Sequence, residues 1–299
     1  MPDSAHCISP TGGQGANTAL QDAVGDFFHS VILVLKCCTQ FNLGWKLSLV
    51  HKRLASLCLL TTYETERMPV VAEMLSLTTE LHSCTFNCTA GFAIASENAN
   101  DAVDVMHRPK RLLQLGINYR WSSIVLEERQ NLAGYPIKSS YGIIGDKPRA
   151  GDRAPEVSSL TDISLASDGG PKKALFEIFA EGLHSILAFG GSGIENISEC
   201  LATFTRYSAS GVAKIVVVCP RQSTILPSGD LEIQVLVDTG GQGFSGYAVD
   251  VDTNTFVVVR PDGFIGTYTS TEAGVHWYFR GVLQSDLLWH YYYYFAKVS

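Results

Sequence analysis

The chain has 299 residues, 46% hydrophobic and 17% charged, with a net charge of -7, a globular composition long enough for two domains or one large one. The acidic balance, with a pI near 5.6, argues against nucleic acid and anionic membranes as partners. The apolar run VILVL stops at Lys36, far short of the ~20 residues of a membrane span. The expected partner is therefore a small molecule or another protein. The eight cysteines are scattered, and no basic segment leads into an apolar stretch at the start, so free thiols and a cytoplasmic location are expected. Cys84 and Cys88 lie four apart without a second Cys or His pair at zinc spacing, so no metal site is expected.

In chain order, the stretch DSAHCISPTGGQGANTALQDA from Asp3 comes first. It reads as a Gly-rich loop running into a helix, where the backbone can approach a ligand and free amides favour an anion. From the glycines alone, a surface turn before a capped helix is the commoner reading. No Lys-Ser or Lys-Thr follows them, which excludes a Walker loop, and the spacing is not that of a Rossmann fingerprint. FNLGWKLSLVHKRLASLCLL (41–60) and ETERMPVVAEMLSLTTELHS (64–83) predict helices, the second kinked or started at Pro69. LLQLGINYRWSSIVLEE reads as extended, and GDKPRAGDRAP (145–155) as a Pro/Gly-rich linker marking a domain boundary.

Beyond the linker the elements alternate. SILAFGG predicts a strand, and NISECLATFTRYSASG a helix capped at Asn196 and stopped at Gly211. AKIVVVCP predicts a buried strand, TFVVVRPDGFIGTY a hairpin turning at Asp262-Gly263, and EAGVHWYFRGVLQ a closing helix. This order suits a thioredoxin-like sandwich, a small mixed sheet with helices on both faces. No Cys-x-x-Cys is present there: Cys200 and Cys219 read as packing thiols. TGGQGFSG, near Gly240, reads as a turn.

Taken whole, the opening stretch resembles the second flavin-binding motif of the FAD-dependent aromatic hydroxylases, the phenol 2-monooxygenase and para-hydroxybenzoate hydroxylase group. Asp3, Ala5, His6, Pro10, Gly12, Gly13, Gln14, Gly15, Asn17 and Asp22 match its pattern at the right spacing. Pro2 replaces a leading Gly, and Ser4 an Ala. FNLGWKLSLV, YETERMPVV and LGINYRWSSIV are similar to later family segments, and GDRAPEVSSL and VVVRPDGFIG to the thioredoxin-like C-terminal domain of the phenol hydroxylase branch. The resemblance runs from about Asp3 to Leu283.

It implies an α/β fold: a mostly helical partial FAD-binding region (1–149), a thioredoxin-like domain (150–284) and an irregular tail (285–299). It also implies FAD as cofactor, NADPH as electron donor, a phenolic or other aromatic substrate, and a possible homodimer. Asp3 would bind the ribityl or pyrophosphate region and Pro10 would line the ring. Gly12, Gly13, Gln14, Gly15, Ala16 and Asn17 would present amides to its pyrimidine edge. No catalytic side chain is assigned. The family's Rossmann segment and substrate sheet are not seen ahead of the motif, so the chain is expected to be the C-terminal piece of a longer flavoprotein, or a mis-started gene model, inactive alone. Val24 to Gln40 separates parts that are contiguous in the family and is expected to be a retained short intron. The alternative function is a non-catalytic thioredoxin-like dimerisation or interaction module.

Overall fold

The computed structural model describes residues 42–86, 116–129, 140–141, 147–164, 170–190, 194–220 and 233–284, without the side chains of 81–86 and 194–196. The flavin-like motif, the Val24–Gln40 segment and the tail lie outside these residues.

Helix α1 (Asn42–His51) is shorter than the run over 41–60 suggests. Arg53 takes a left-handed φ of 58°, a conformation that commonly ends a helix. The amides of Leu54 and Ala55 both turn back to the Leu49 carbonyl, at 2.8 and 3.2 Å. Helix α2 (Cys58–Phe86) then runs straight through Pro69. Proline has no N–H, which orphans the carbonyl four residues earlier. That carbonyl belongs to Thr65, and the Trp121 indole donates to it at 2.8 Å, so the helix continues across the proline with its acceptor satisfied.

The remaining elements build one sheet. They are β1 (Leu126–Glu127), β2 (Leu160–Asp162), β3 (Lys172–Lys173), α3 (Leu175–Phe179), β4 (His184–Phe189), α4 (Ile194–Ala209), β5 (Ala213–Pro220), β6 (Ile233–Asp238), α5 (Gln242–Gly246), β7 (Thr255–Val259), β8 (Ile265–Thr269) and α6 (Glu272–Val282). The strand order is β1-β8-β7-β4-β5-β6-β2-β3. Strands β4, β5 and β6 are parallel, with Ile186 opposite Ile215 and Val217 opposite Val235, while β7 and β8 form an antiparallel hairpin joined to β4. The β4 to β5 crossover is α4, as parallel pairing requires. The edge strand β3 carries Lys172 and Lys173, a composition that discourages further pairing.

The expected strands 185–191 and 213–220, the hairpin and the closing helix all appear. Helix α4 starts at Ile194, upstream of the expected Asn196 cap, and stops at Gly211, whose φ of +67° suits glycine. TGGQGFSG is more ordered than a turn. Its α5 helix hangs on Asp238, whose carboxylate accepts from the amides of Gln242, Gly243 and Phe244.

Alternation along the strands divides the core in two. Ile186, Ala188, Ile215, Val217, Phe256 and Val258 face α4 and α6, and also Trp45 and Leu49 of α1. Leu187, Phe189, Val216, Val218 and Val257 face α3 and α5. Strand β4 is buried at every position, which explains the unbroken apolar run from Ile186 to Phe189. A third cluster joins Val70, Val71 and Met74 of α2 to Tyr119, Tyr141 and Phe264. The 147–155 stretch is packed rather than loose. Gly151 bonds through its amide to Ile265 at 2.7 Å and through its carbonyl to the Tyr119 amide, also at 2.7 Å.

Candidate functional site

All eight residues assigned to flavin, Asp3, Pro10, Gly12, Gly13, Gln14, Gly15, Ala16 and Asn17, lie outside the described residues, as does His6. The first described element after them is α1, and its inner face leads into the densest polar cluster among the described residues.

Glu66 of α2 stands at the centre. Its Oε2 accepts from Asn42 Nδ2 at 2.5 Å and from Lys46 Nζ at 2.8 Å, both on α1. Its Oε1 accepts from Ser122 Oγ at 2.6 Å. Arg260, at the end of β7, lays two guanidinium nitrogens on the same carboxylate at 2.9 and 3.1 Å. Arg260 Nε donates to Asp262 Oδ1 at 3.0 Å, and a second, short contact joins Nη2 to Asp262 Oδ2. The Trp45 indole donates to that Oδ2 at 3.0 Å. The i, i+4 spacing of Asn42 and Lys46 puts both on one face of α1, and they bond each other at 2.9 Å. Gly263, at φ +78°, turns the hairpin so that Arg260 and Asp262 point inward together.

Two anions and two cations meet here, and the side chains of Lys46, Glu66 and Arg260 are 0% exposed. Burial alone would push Glu66 up, but the charges of Arg260 and Lys46 hold it at about 2. Burial pulls Lys46 down to about 8 against the opposing pull of Glu66. Arg260 would be lowered by burial, yet Asp262 and Glu66 raise it well above its usual value. Such a group survives in a low dielectric only when charges balance and hydrogen bonds are complete. Both oxygens of Glu66 are engaged, and Arg260 is committed to two carboxylates. Among the described residues the cluster is closed to solvent, and its chemistry is that of a clasp between α1, α2 and the hairpin.

The sequence reading missed this cluster, although Lys46 inside NLGWKLSLV and Arg260 closing VVV were visible as charges in apolar runs. Near α4 and α6 a smaller group forms: His276 meets Tyr207 Oη at 2.7 Å through Nδ1 and Glu272 at 2.8 Å through Nε2. Cys58, Cys200 and Cys219 are not joined in disulfides, and burial raises the Cys200 thiol, which makes it a poor nucleophile. Among the described residues no group of three or more His, Cys, Asp or Glu could hold a metal ion, and no helix is long and apolar enough to cross a membrane.

Against known proteins, residues 1–36 match the family model described as FAD binding domain, the segment that holds the flavin-like motif. Over 269 residues, 90% of its length, the chain is 30% identical to a flavin-dependent monooxygenase of Mycobacteroides abscessus, covering 36% of that protein. It is 27% identical to the pentachlorophenol 4-monooxygenase of Sphingobium chlorophenolicum, over 91% of the chain and 42% of the relative. In fold it is similar to the crystal structure of the flavin-dependent monooxygenase PieE in complex with FAD and substrate, with a TM-score of 0.59 and 19% identity, covering 93% of this chain and 46% of that one. The chain is thus a relative of the FAD-dependent monooxygenases. The aromatic hydroxylases it resembles are among them, and it spans 36% and 42% of the two curated relatives' lengths.

Proposed function

We propose that the chain supplies part of an FAD-dependent monooxygenase that hydroxylates a phenolic or other aromatic substrate, with NADPH as electron donor. The observation that carries this reading is the spaced motif from Asp3 to Asp22, within the segment matched by the FAD binding domain family. Asp3, Pro10, Gly12, Gly13, Gln14, Gly15, Ala16 and Asn17 would hold the flavin. Free amides at the helix start would stabilise negative charge on its pyrimidine edge. When bound, FAD supplies the oxygen-transfer chemistry, and the protein supplies binding and orientation. The proposed hydroxylation is that of the whole enzyme, and this chain's proposed share of it is the flavin half-site. The proposed location is the cytoplasm.

The same reading divides the chain into a flavin region (1–149), with Val24–Gln40 as an insertion, and a thioredoxin-like unit (150–284). The order β5-β4-β7-β8 with α4 and α6 on one face supports the thioredoxin-like assignment. The test is visible absorbance after incubation with excess FAD and desalting. Retained flavin supports the half-site. A colourless protein that melts cooperatively refutes it and favours the second reading, a non-catalytic interaction or homodimer module.

A further inference from the structure

We propose that Ser56, in the turn between α1 and α2, is a phosphorylation site for a serine/threonine protein kinase that reads basic residues ahead of its target. The proposal stands independently of the flavoprotein reading above.

The turn reads HKRLASL from His51 to Leu57, a local run of cations in a chain of net charge -7. Kinases of this kind select substrates by their charge pattern. An acidic pocket takes an arginine three residues before the acceptor hydroxyl, and an apolar pocket takes the side chain directly after it. Arg53 and Leu57 hold those two positions around Ser56, and Lys52 adds a further cation.

Sequence alone offers a rival of equal spacing, and the structure separates the two. Among the described residues, Ser56 and Ser123 are the hydroxyl residues that have an arginine three positions before them. Ahead of Ser123, Arg120 is gripped by both oxygens of Asp152 at 2.7 and 2.8 Å, and after it Ile124 is buried in the core. Neither side chain can be handed to another protein while the fold stands. Around Ser56 the reverse holds. Lys52, Arg53 and Ser56 are exposed, the left-handed Arg53, at φ 58°, ends α1 there, and Leu57 is 72% exposed. The acceptor and both recognition side chains already face solvent.

An acceptor segment enters a kinase extended, so Leu54 and Ala55 must let go of the body of the protein. Their amides bond the Leu49 carbonyl at 2.8 and 3.2 Å, and the Leu54 carbonyl accepts from the Gln284 amide at 3.0 Å. Opening releases these three bonds and the small Ala55 side chain, while Trp45 and Leu49 of α1 and Leu59 of α2 stay in the core. Turns held by so few contacts are the parts of a native protein that open locally. In the transfer, Ser56 Oγ attacks the γ-phosphorus of ATP and the bond from that phosphorus to the bridging oxygen breaks. ADP leaves, and the hydroxyl proton passes to the kinase's carboxylate base. The phosphate brings about -1.5 to -2 charges at pH 7 beside His51, Lys52 and Arg53. The bonds that shape the turn join backbone groups, so the modified side chain displaces none of them.

The test incubates the full folded chain with ATP and the catalytic subunit of cyclic-AMP-dependent protein kinase, its activity verified on a standard peptide, and reads intact mass and peptide maps over time. Wild type is compared with Ser56→Ala, Arg53→Gln and Ser123→Ala, each at an exposed position, with circular dichroism showing that all four are folded. The expectation is about one phosphate per chain, on Ser56, absent from Ser56→Ala, at least tenfold slower in Arg53→Gln and unchanged in Ser123→Ala. A folded wild type that takes up no phosphate overturns the site, as does phosphate mapped elsewhere with Ser56 unmodified. Equal rates in wild type and Arg53→Gln overturn the recognition of the basic run.

Discussion

Replacing Arg260 by Met is the sharpest probe of the buried cluster. Arg260 is 0% exposed and neutralises Glu66 and Asp262 together. Met fills part of its volume but leaves Lys46 alone to balance two buried carboxylates. Breaking a buried pair by removing one partner costs about 3–5 kcal/mol, a large share of the ~5–15 kcal/mol of a typical domain. The acid side gives a separate figure. Glu66 has its pKa lowered from 4.5 to about 2, and at ~1.4 kcal/mol per unit this is about 3 kcal/mol. A carboxylate depressed in the folded state stabilises above its unfolded pKa, so this contribution is full above pH 4.5 and is lost as pH falls towards 2. Urea unfolding followed by tryptophan fluorescence at pH 7 and at pH 3 measures both. Arg260→Met should lose about 3–5 kcal/mol at neutral pH and show a flatter acid limb than wild type. A loss under about 1 kcal/mol with an unchanged acid limb would refute the account of the cluster as a balanced charge group.

Three further outcomes follow from local geometry. His184 is buried among Trp45, Tyr278 and Phe279, and burial, with Arg260 nearby, lowers its pKa from 6.5 to about 3. The unfolded chain therefore takes up a proton first, so stability declines as pH falls from 6.5 towards 3; His184→Phe should flatten that slope between pH 6.5 and 4.5 in a thermal-melt series. Gly151 has φ +93°, and a Cβ there would lie 2.5 Å from the Arg120 amide nitrogen, so Gly151→Ala should cost about 2 kcal/mol or more, read from urea midpoints. Trp121→Phe strips the Thr65 carbonyl of its indole partner and should cost about 1 kcal/mol. Adding Pro69→Ala, which restores an N–H to that carbonyl, should recover most of the loss, and no recovery would remove the explanation for α2 passing through a proline.

The legible parts of this protein are those written in short windows. AKIVVVCP and SILAFGG announce buried strands because their side chains are apolar on both faces, and Asp262-Gly263 marks its hairpin because the turn needs a positive φ. Strand β6 (Ile233–Asp238) went unread because Gln234 and Asp238 interrupt its apolar residues, and partly buried positions fall on both of its faces. Strands β1 and β3, two residues each, carry no pattern of their own and exist because a neighbouring strand offers free backbone groups. Pro69 reads as a break in isolation, and only the arrival of Trp121 from another segment makes a continuous helix there.

The sequence by itself determined the class to which the chain is related, since the Asp3 to Asp22 motif depends on residue identity at fixed spacing. It also determined β4, β5, the β7–β8 hairpin and α6, since their apolar patterns are local. Only the tertiary structure decided which strands are neighbours and that Lys46, Glu66, Arg260 and Asp262 share one dry site. Charge balance in a low dielectric depends on distance in space, and the ion pair between Arg260 and Glu66 spans 194 positions of chain, beyond the reach of any local pattern.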